Sequence, residues 1–214
     1  CESLGHDVEE MGFNYDGLLA SRAFTIIITS HVSQMFNELK DIVGRRYRKK
    51  EVETTTRLFD YLGKSYRASD YTWARYTMQS IARKVMQDTD KYDVVLTPII
   101  SQPPPQLGEI RPDSRSRLIS EIIMSLRLGF IFRIKPIRDA ILNTLAPQSL
   151  WYAPDAMLQN ITGQPAISIP TYWTDNNIPL GVQYTSRYAD EATLIALASE
   201  LEEAAPWIKR IPNL

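Results

Sequence analysis

The sequence predicts an α/β fold in which a mixed β-sheet is flanked by helices. Long segments carry apolar residues at the spacing of an amphipathic helix, first over 15–43. A run rich in β-branched residues over 92–97 stops at a proline, which is typical of a buried strand. Two further apolar runs, 165–170 and 180–186, flank an Asp-Asn-Asn turn and predict a hairpin. We expect these three strands to share one sheet.

The residues that begin and end the helices define each predicted boundary. Ser69 and Asp70 are both good N-caps for the third helix, and Asp190 precedes the acidic first turn of the last helix. Gly163 is expected to stop a short helix that starts near Pro154. The remaining predictions, in chain order, are a strand over 4–10, helices over 15–43, 51–61, 115–133 and 138–145, and an extended loop over 103–108.

The charge balance excludes several classes of partner. The 214 residues include 24 basic and 25 acidic side chains, so the net charge is near −1. Nucleic acids and anionic membranes select strongly basic surfaces, and neither is expected as a partner. No glycine-rich motif for a phosphate or dinucleotide occurs in the sequence, so we expect no cofactor. The single cysteine excludes a disulfide framework and a cysteine-based zinc cage, and it indicates a cytoplasmic protein.

Cys1 is a candidate nucleophile. A cysteine whose own α-amine accepts the thiol proton can attack an amide, as in N-terminal nucleophile hydrolases. That architecture needs two layered sheets, and the few predicted strands do not supply them. The alternative is that Cys1 has no chemical role.

Three stretches, in this order, are similar to a known family. The first is Leu4-Gly5-His6-Asp7-Val8-Glu9-Glu10, and the second is Tyr92-Asp93-Val94-Val95-Leu96-Thr97-Pro98 with Leu107-Gly108-Glu109. The third and most specific is Asn160-Ile161-Thr162-Gly163-Gln164-Pro165-Ala166-Ile167-Ser168-Ile169-Pro170, followed by Ile178-Pro179-Leu180-Gly181-Val182-Gln183 and Asp190-Glu191-Ala192-Thr193-Leu194. Together they resemble the carboxy-terminal half of the amidase signature family.

The resemblance implies an amidase that cleaves a carboxylic amide through an acyl-serine intermediate. In that family a Ser–cis-Ser–Lys triad lies in the amino-terminal half, so no catalytic residue carries over to this sequence. We therefore expect 1–214 to form a single domain, an incomplete carboxy-terminal part of the amidase signature fold, and to be inactive alone. The expected partners are a small-molecule amide substrate and a second copy of the chain, which would cover the surface facing the missing half.

Five residues are candidates for contacting the substrate. Thr97, Pro98 and Ile99 lie at the carboxyl end of a predicted strand, the usual place for pockets in open α/β sheets. Pro98 has the alternative role of ending that strand. Asn160 and Gln164 flank a glycine just before the strand predicted over 165–170. Their side-chain amides either face the substrate or fix the tight turn that leads into this strand.

Three other functions stay open. A non-catalytic interaction module would be monodisperse and would have charged residues at its strand edges. An amidase that lacks its amino-terminal half would instead self-associate through exposed apolar surface. An N-terminal nucleophile hydrolase would lose its activity on Cys1→Ala. The amidotransferase subunit that amidates glutamate on tRNA would require partner subunits and a supply of ammonia.

Overall fold

The backbone separates into two compact units. The computed structural model describes residues 1–106, 108–109, 128–150, 152–208 and 210. The sheet unit comprises Cys1–Tyr15, Gln79–Pro104 and Leu150–Leu214, and the helical unit comprises Asp16–Met78 and Pro105–Ser149. The organisation of 1–214 as a single domain stays a prediction.

The described residues form helices and strands in the alternation that the sequence predicts, and the α/β fold class is confirmed. The helices are α1 (Gly17–Val43), α2 (Thr54–Gly63), α3 (Ala68–Thr89), α4 (Lys135–Leu150), α5 (Ala156–Thr162) and α6 (Glu191–Ala204). The strands are β1 (Val94–Pro98), β2 (Ala166–Trp173) and β3 (Pro179–Ser186), and short 3₁₀ helices occupy Glu2–Leu4, Lys49–Glu51 and Leu128–Arg133.

The three strands form one sheet in the order β1-β3-β2, which confirms that they share a sheet and that β2 and β3 form a hairpin. Both pairings are antiparallel. A mixed sheet would also contain a parallel pair, and the described strands contain none. Because β3 lies in the centre, its residues pair on one side with β1 and on the other with β2. A row of register partners therefore runs across all three strands.

One face of the sheet buries the core of the sheet unit against α6. Ile169 and Tyr184 from the strands pack with Leu194 and Leu201 from the helix, and all four are at least nine-tenths buried. Asp190 caps α6 through a 3.3 Å hydrogen bond from the Thr193 N–H to its carboxylate. The predicted start of this helix is therefore confirmed.

The connection between α2 and α1 depends on a glycine at the end of α2. A Cβ on Gly63 would lie 2.1 Å from the carbonyl oxygen of Thr29, so only glycine lets the two helices approach this closely. The buried side of α1 carries mostly small residues, namely Ala20, Ser21, Ala23, Thr25, Ile26, Thr29, Ser33 and Phe36.

The amphipathic pattern predicted α1 correctly but did not predict which side is buried. Several of its large apolar side chains are exposed, including Ile28, Met35, Leu39 and Ile42, with Ile42 81% exposed. These four, named here the α1 apolar stripe, recur at spacings of seven, four and three residues and so lie along one side of the helix. The small side faces α2 because close packing of helices requires short side chains at the contact.

One predicted strand and two predicted helix starts are wrong. No strand forms over 4–10: a 3₁₀ turn ends at Leu4, Gly5 follows at φ 95°, and no described strand pairs with the segment. Instead Glu9 accepts hydrogen bonds from Lys91 and Tyr92. Helix α3 begins at Ala68 rather than after Ser69 or Asp70, because the Asp70 carboxylate accepts the Arg67 N–H within the first turn. Helix α4 begins at Lys135, before the predicted start at 138. Most of the helix predicted over 115–133 lies outside the described residues.

Candidate functional site

The face of the sheet opposite α6 carries a row of polar side chains. Thr97, Gln183 and Ser168 are register partners on β1, β3 and β2. Register partners point to the same side of a sheet, so these three side chains lie side by side. Thr185, two residues from Gln183 along β3, extends the same side. We call these four residues the polar face.

Burial divides the polar face into a closed end and an open end. Thr97, Gln183 and Thr185 are buried, and Ser168 is exposed. Gln183 Nε2 donates to Thr97 Oγ1 at 3.2 Å, and Gln159 Nε2 of α5 donates to Thr185 Oγ1 at 2.9 Å. The buried hydroxyls of Thr97 and Thr185 thus each accept a hydrogen bond from a glutamine amide, whereas Oε1 of Gln159 is buried without a hydrogen-bond partner among the described residues. The Ser168 hydroxyl has no hydrogen-bond partner among the described residues, and it is the group of this face that remains free for a ligand.

A glycine makes room for the Ser168 hydroxyl. A Cβ on Gly181 would lie 2.5 Å from Ser168 Oγ and 3.3 Å from Ile99 Cγ2. Any larger residue at 181 would therefore displace the hydroxyl or push Ile99 aside. Gly181 sits next to the hydroxyl on the central strand, so its missing side chain forms a shallow recess beside Ser168.

The structure brings two of the five predicted site residues to the polar face. Thr97 belongs to its central row, and Ile99 is half-buried beside the Gly181 recess. Pro98 pairs with Val182 on the side that faces α6. Asn160 Nδ2 donates to the Ala156 carbonyl within its own helix at 3.0 Å.

Gln164 has a structural hydrogen bond: its Nε2 donates to the Ser186 carbonyl at 3.1 Å, which ties the entry of β2 to the end of β3. The Gln164 bond agrees with the alternative role that the sequence left open, which is to hold the entry of the strand, whereas the Asn160 bond stays within its own helix. Substrate contact by any of the five residues stays a prediction.

Sequence reasoning missed Ser168, Gln183 and Gln159. One signal was available: Gln183 is a long polar residue inside an otherwise apolar strand, which indicates a paired buried amide. The partner could not be read from the sequence, because the strands of Thr97 and Gln183 are 86 residues apart in the chain.

The loop that follows β1 is held beside the sheet by Tyr152. The Ser101 N–H donates to the Tyr152 carbonyl at 2.9 Å, and the Tyr152 hydroxyl donates to the Pro103 carbonyl at 3.1 Å. This tyrosine thus restrains the proline-rich loop at two points.

The polar face offers hydroxyl and amide groups that can hydrogen-bond a polar ligand. No histidine, lysine or carboxylate hydrogen-bonds Ser168 in the described ranges, and a serine needs such a base to react. Cys1 is half-buried and packs against the core on the α6 side, away from the polar face. His6 Nε2 lies 3.3 Å from Glu200 Oε2 of α6.

A carboxyl with a perturbed pKa lies at the start of α5. Burial raises the pKa of the Asp155 carboxyl. The pKa of Tyr15 is raised first by burial and then by the negative charge of Asp155. Burial rather than a catalytic partner accounts for the carboxyl, so we assign it no role in chemistry.

The described residues offer neither a metal site nor a membrane-spanning helix. No group of three or more histidine, cysteine or acidic side chains there could hold a metal ion. No helix in the described part of the chain is both long and apolar enough to cross a membrane.

Comparison with known proteins gives relatives with amidase names. No protein-family model matches the chain. AmiC of Mycobacterium leprae is 29% identical over 132 residues, which cover 62% of this chain and 22% of AmiC. AmiB2 of Mycobacterium tuberculosis is 24% identical over 211 residues, which cover 99% of this chain and 38% of AmiB2.

Two solved structures share the fold. A 6-aminohexanoate cyclic dimer hydrolase superposes with a TM-score of 0.72 at 23% identity, over 99% of this chain and 40% of that enzyme. A bacterial aryl acylamidase of the amidase signature family gives a TM-score of 0.63 at 15% identity, over 94% of this chain and 37% of that enzyme. The chain therefore spans about two fifths or less of the length of each protein that it matches.

Proposed function

On the premise that the chain is related to the amidase signature enzymes, we propose that it is the carboxy-terminal segment of an amidase. In the complete enzyme a carboxylic amide is cleaved through an acyl-serine intermediate, and the nucleophile comes from residues outside these 214. The chain contributes the sheet and one wall of the substrate pocket, and it has no turnover by itself.

The polar face supports this proposal most directly. Its buried hydroxyls on Thr97 and Thr185 accept hydrogen bonds from Gln183 and Gln159, and the exposed Ser168 hydroxyl has no base beside it among the described residues. A surface of this kind orients a polar substrate but does not cleave it. Ile99 and the recess at Gly181 supply adjacent apolar surface. The combination fits a wall that contacts an amide group and its acyl chain.

We also propose that the chain alone self-associates through the α1 apolar stripe. Its four members, Ile28, Met35, Leu39 and Ile42, are between 36% and 81% exposed. Contiguous exposed apolar surface of this sort usually marks a protein–protein contact. In the complete amidase the same surface would be covered by the remainder of the enzyme.

Hydrolysis assays test the proposal. The purified chain is incubated with a panel of small amides and aryl esters, alone and together with the amino-terminal segment of an amidase relative. We expect no turnover from the chain alone and turnover from the reconstituted pair. Sedimentation of the chain alone should show dimers or larger species, and Ile42→Glu should dissociate them.

Cys1→Ala and Ser168→Ala are the matched controls. Turnover by the chain alone that disappears with Cys1→Ala would identify an N-terminal nucleophile hydrolase. Turnover that disappears with Ser168→Ala would place a complete active site on the polar face. A monodisperse chain that the amino-terminal segment does not activate would favour the non-catalytic interaction module. Each of these results contradicts the proposal.

A further inference from the structure

A cleft in the helical unit is lined by an excess of positive charge. It has a volume of about 380 Å³ and lies where the α2–α3 connection meets the start of α4. Its charged lining residues are Lys64, Arg67, Asp70, Arg133, Lys135 and Arg138. Five of these side chains are cationic and only Asp70 is anionic, although the whole chain has a net charge of −1. We call this feature the basic cleft.

The cleft is held together by a buried arginine. Arg138 is 6% exposed, and its guanidinium donates to the Ser65 carbonyl at 3.1 Å and lies 3.2 Å from the Asp70 carboxylate. The same guanidinium lies over the ring of Tyr66, 5.1 Å from its centroid. These contacts join α4 to the start of α3, so the two walls of the cleft are fixed relative to each other.

Three of the five cations are neutralised and two are not. The ion pairs are Lys64 with Asp60 at 2.6 Å, Lys135 with Asp139 at 2.6 Å, and Arg138 with Asp70 at 3.2 Å. Arg67 and Arg133 have no carboxylate within ion-pair distance in the described ranges. Both are exposed, and Arg67 directly precedes α3 whereas Arg133 lies two residues before α4. Within the part of the chain that the structure describes, these two positive charges of the cleft are uncompensated.

The backbone adds to this positive potential. Helix α3 begins at Ala68 and α4 at Lys135, and residues in the first turn of each helix line the cleft. Each helix N-terminus is equivalent to roughly half a positive charge, which favours an oxyanion. The hydroxyl of Ser69 is a further donor on the same wall.

We propose that the basic cleft binds a small soluble molecule that has a phosphate group. Two cleft guanidinium groups that have no carboxylate partner among the described residues match a dianion, and arginine forms paired hydrogen bonds with phosphate oxygens. Donors on both walls suit a tetrahedral group with oxygens on every side. The volume lies near the lower end of the range for small-molecule pockets, which leaves space for a short organic group beside the phosphate. This site is separate from the polar face and does not depend on the proposed amidase function.

Calorimetric titration of the 214-residue chain tests the proposal. Inorganic phosphate and glycerol 3-phosphate are titrated at constant ionic strength, with succinate as a dicarboxylate of equal charge. We expect saturable binding of both phosphates and none of succinate. Arg67→Gln and Arg133→Gln should each weaken phosphate binding about tenfold, the loss expected for one charge-assisted hydrogen bond.

Arg75→Gln is the matched control. Arg75 lies two turns into α3, is exposed and does not line the cleft, so its loss should leave phosphate binding unchanged. Thermal unfolding of each variant without phosphate confirms that it is folded. Absence of saturation in the unmutated chain would overturn the proposal. Tighter binding of succinate would also overturn it, and so would an equal loss of phosphate binding in all three variants.

Discussion

Replacing Gly63 by alanine should destabilise the packing of α2 on α1. The new Cβ would lie 2.1 Å from the Thr29 carbonyl oxygen, 2.7 Å from the Thr29 carbonyl carbon and 2.8 Å from Ser33 Cβ. Ordinary van der Waals contact begins near 3.4 Å, so the oxygen is about 1.3 Å too close. Two of these three atoms belong to the backbone, and no change of rotamer can relieve the contact. The helices must move apart or the end of α2 must unwind.

The change in the free energy of unfolding caused by Gly63→Ala is the sum of two opposing effects. Overpacking in a close-packed interior costs about 1–3 kcal/mol, and a backbone clash is expected at the upper end, near 3 kcal/mol. Alanine in a helix recovers at most about 1 kcal/mol relative to glycine. The net loss in the free energy of unfolding is therefore about 2 kcal/mol. For a chain of this size that loss lowers Tm by roughly 4–8 °C.

Thermal and urea unfolding followed by circular dichroism measures this loss. Gly17→Ala is the control, because Gly17 is the first residue of α1 and a Cβ there meets nothing within 4 Å. We expect Gly17→Ala to leave Tm unchanged or to raise it slightly. The reasoning is refuted if Gly63→Ala unfolds at the same temperature as Gly17→Ala or above it.

Two further predictions concern the polar face and the surface of the helical unit. Gly181→Ala should force Ser168 into another rotamer at a cost of about 0.5–1.5 kcal/mol, and this cost should vanish in a Ser168→Ala background. A double-mutant cycle by urea unfolding measures the coupling, and strict additivity would contradict the contact. Separately, hydrogen bonding to the Arg45 guanidinium and then to the Arg48 N–H lowers the pKa of Glu51 to about 2. Since its folded pKa is depressed, Glu51 stabilises the chain above pH 4.5, and this contribution disappears as the pH falls from about 4.5 to 2. The Tm difference between the unmutated chain and Glu51→Gln should follow the same course, and a difference that does not change with pH would exclude this assignment.

The sequence by itself determined the elements whose signals are local. The three strands were predicted because β-branched runs, flanking prolines and an Asp-Asn-Asn turn all act within about ten residues. Asp190 and Gly163 were predicted as helix boundaries for the same reason: an N-cap accepts an N–H three residues away, and the C-terminal glycine adopts φ 73°, which other residues rarely do.

Only the tertiary structure decided which residues became neighbours. The row of Thr97, Gln183 and Ser168 exists because β3 inserts between β1 and β2, and a strand's own sequence does not specify its partner. The exposed stripe of α1 has a similar cause. Periodicity locates an apolar side of a helix, whereas the steric fit of Gly63 against Thr29 decides that the small side is buried.

The basic cleft likewise required the folded chain. Arg138 and Asp70 lie 68 positions apart in sequence and meet at 3.2 Å only because α4 returns to the start of α3. Composition showed balanced charge over the whole chain, and it gave no sign that five cationic side chains would line one cleft. Net charge is a sum over the chain, whereas the potential at a site depends on which charges folding brings within a few ångströms.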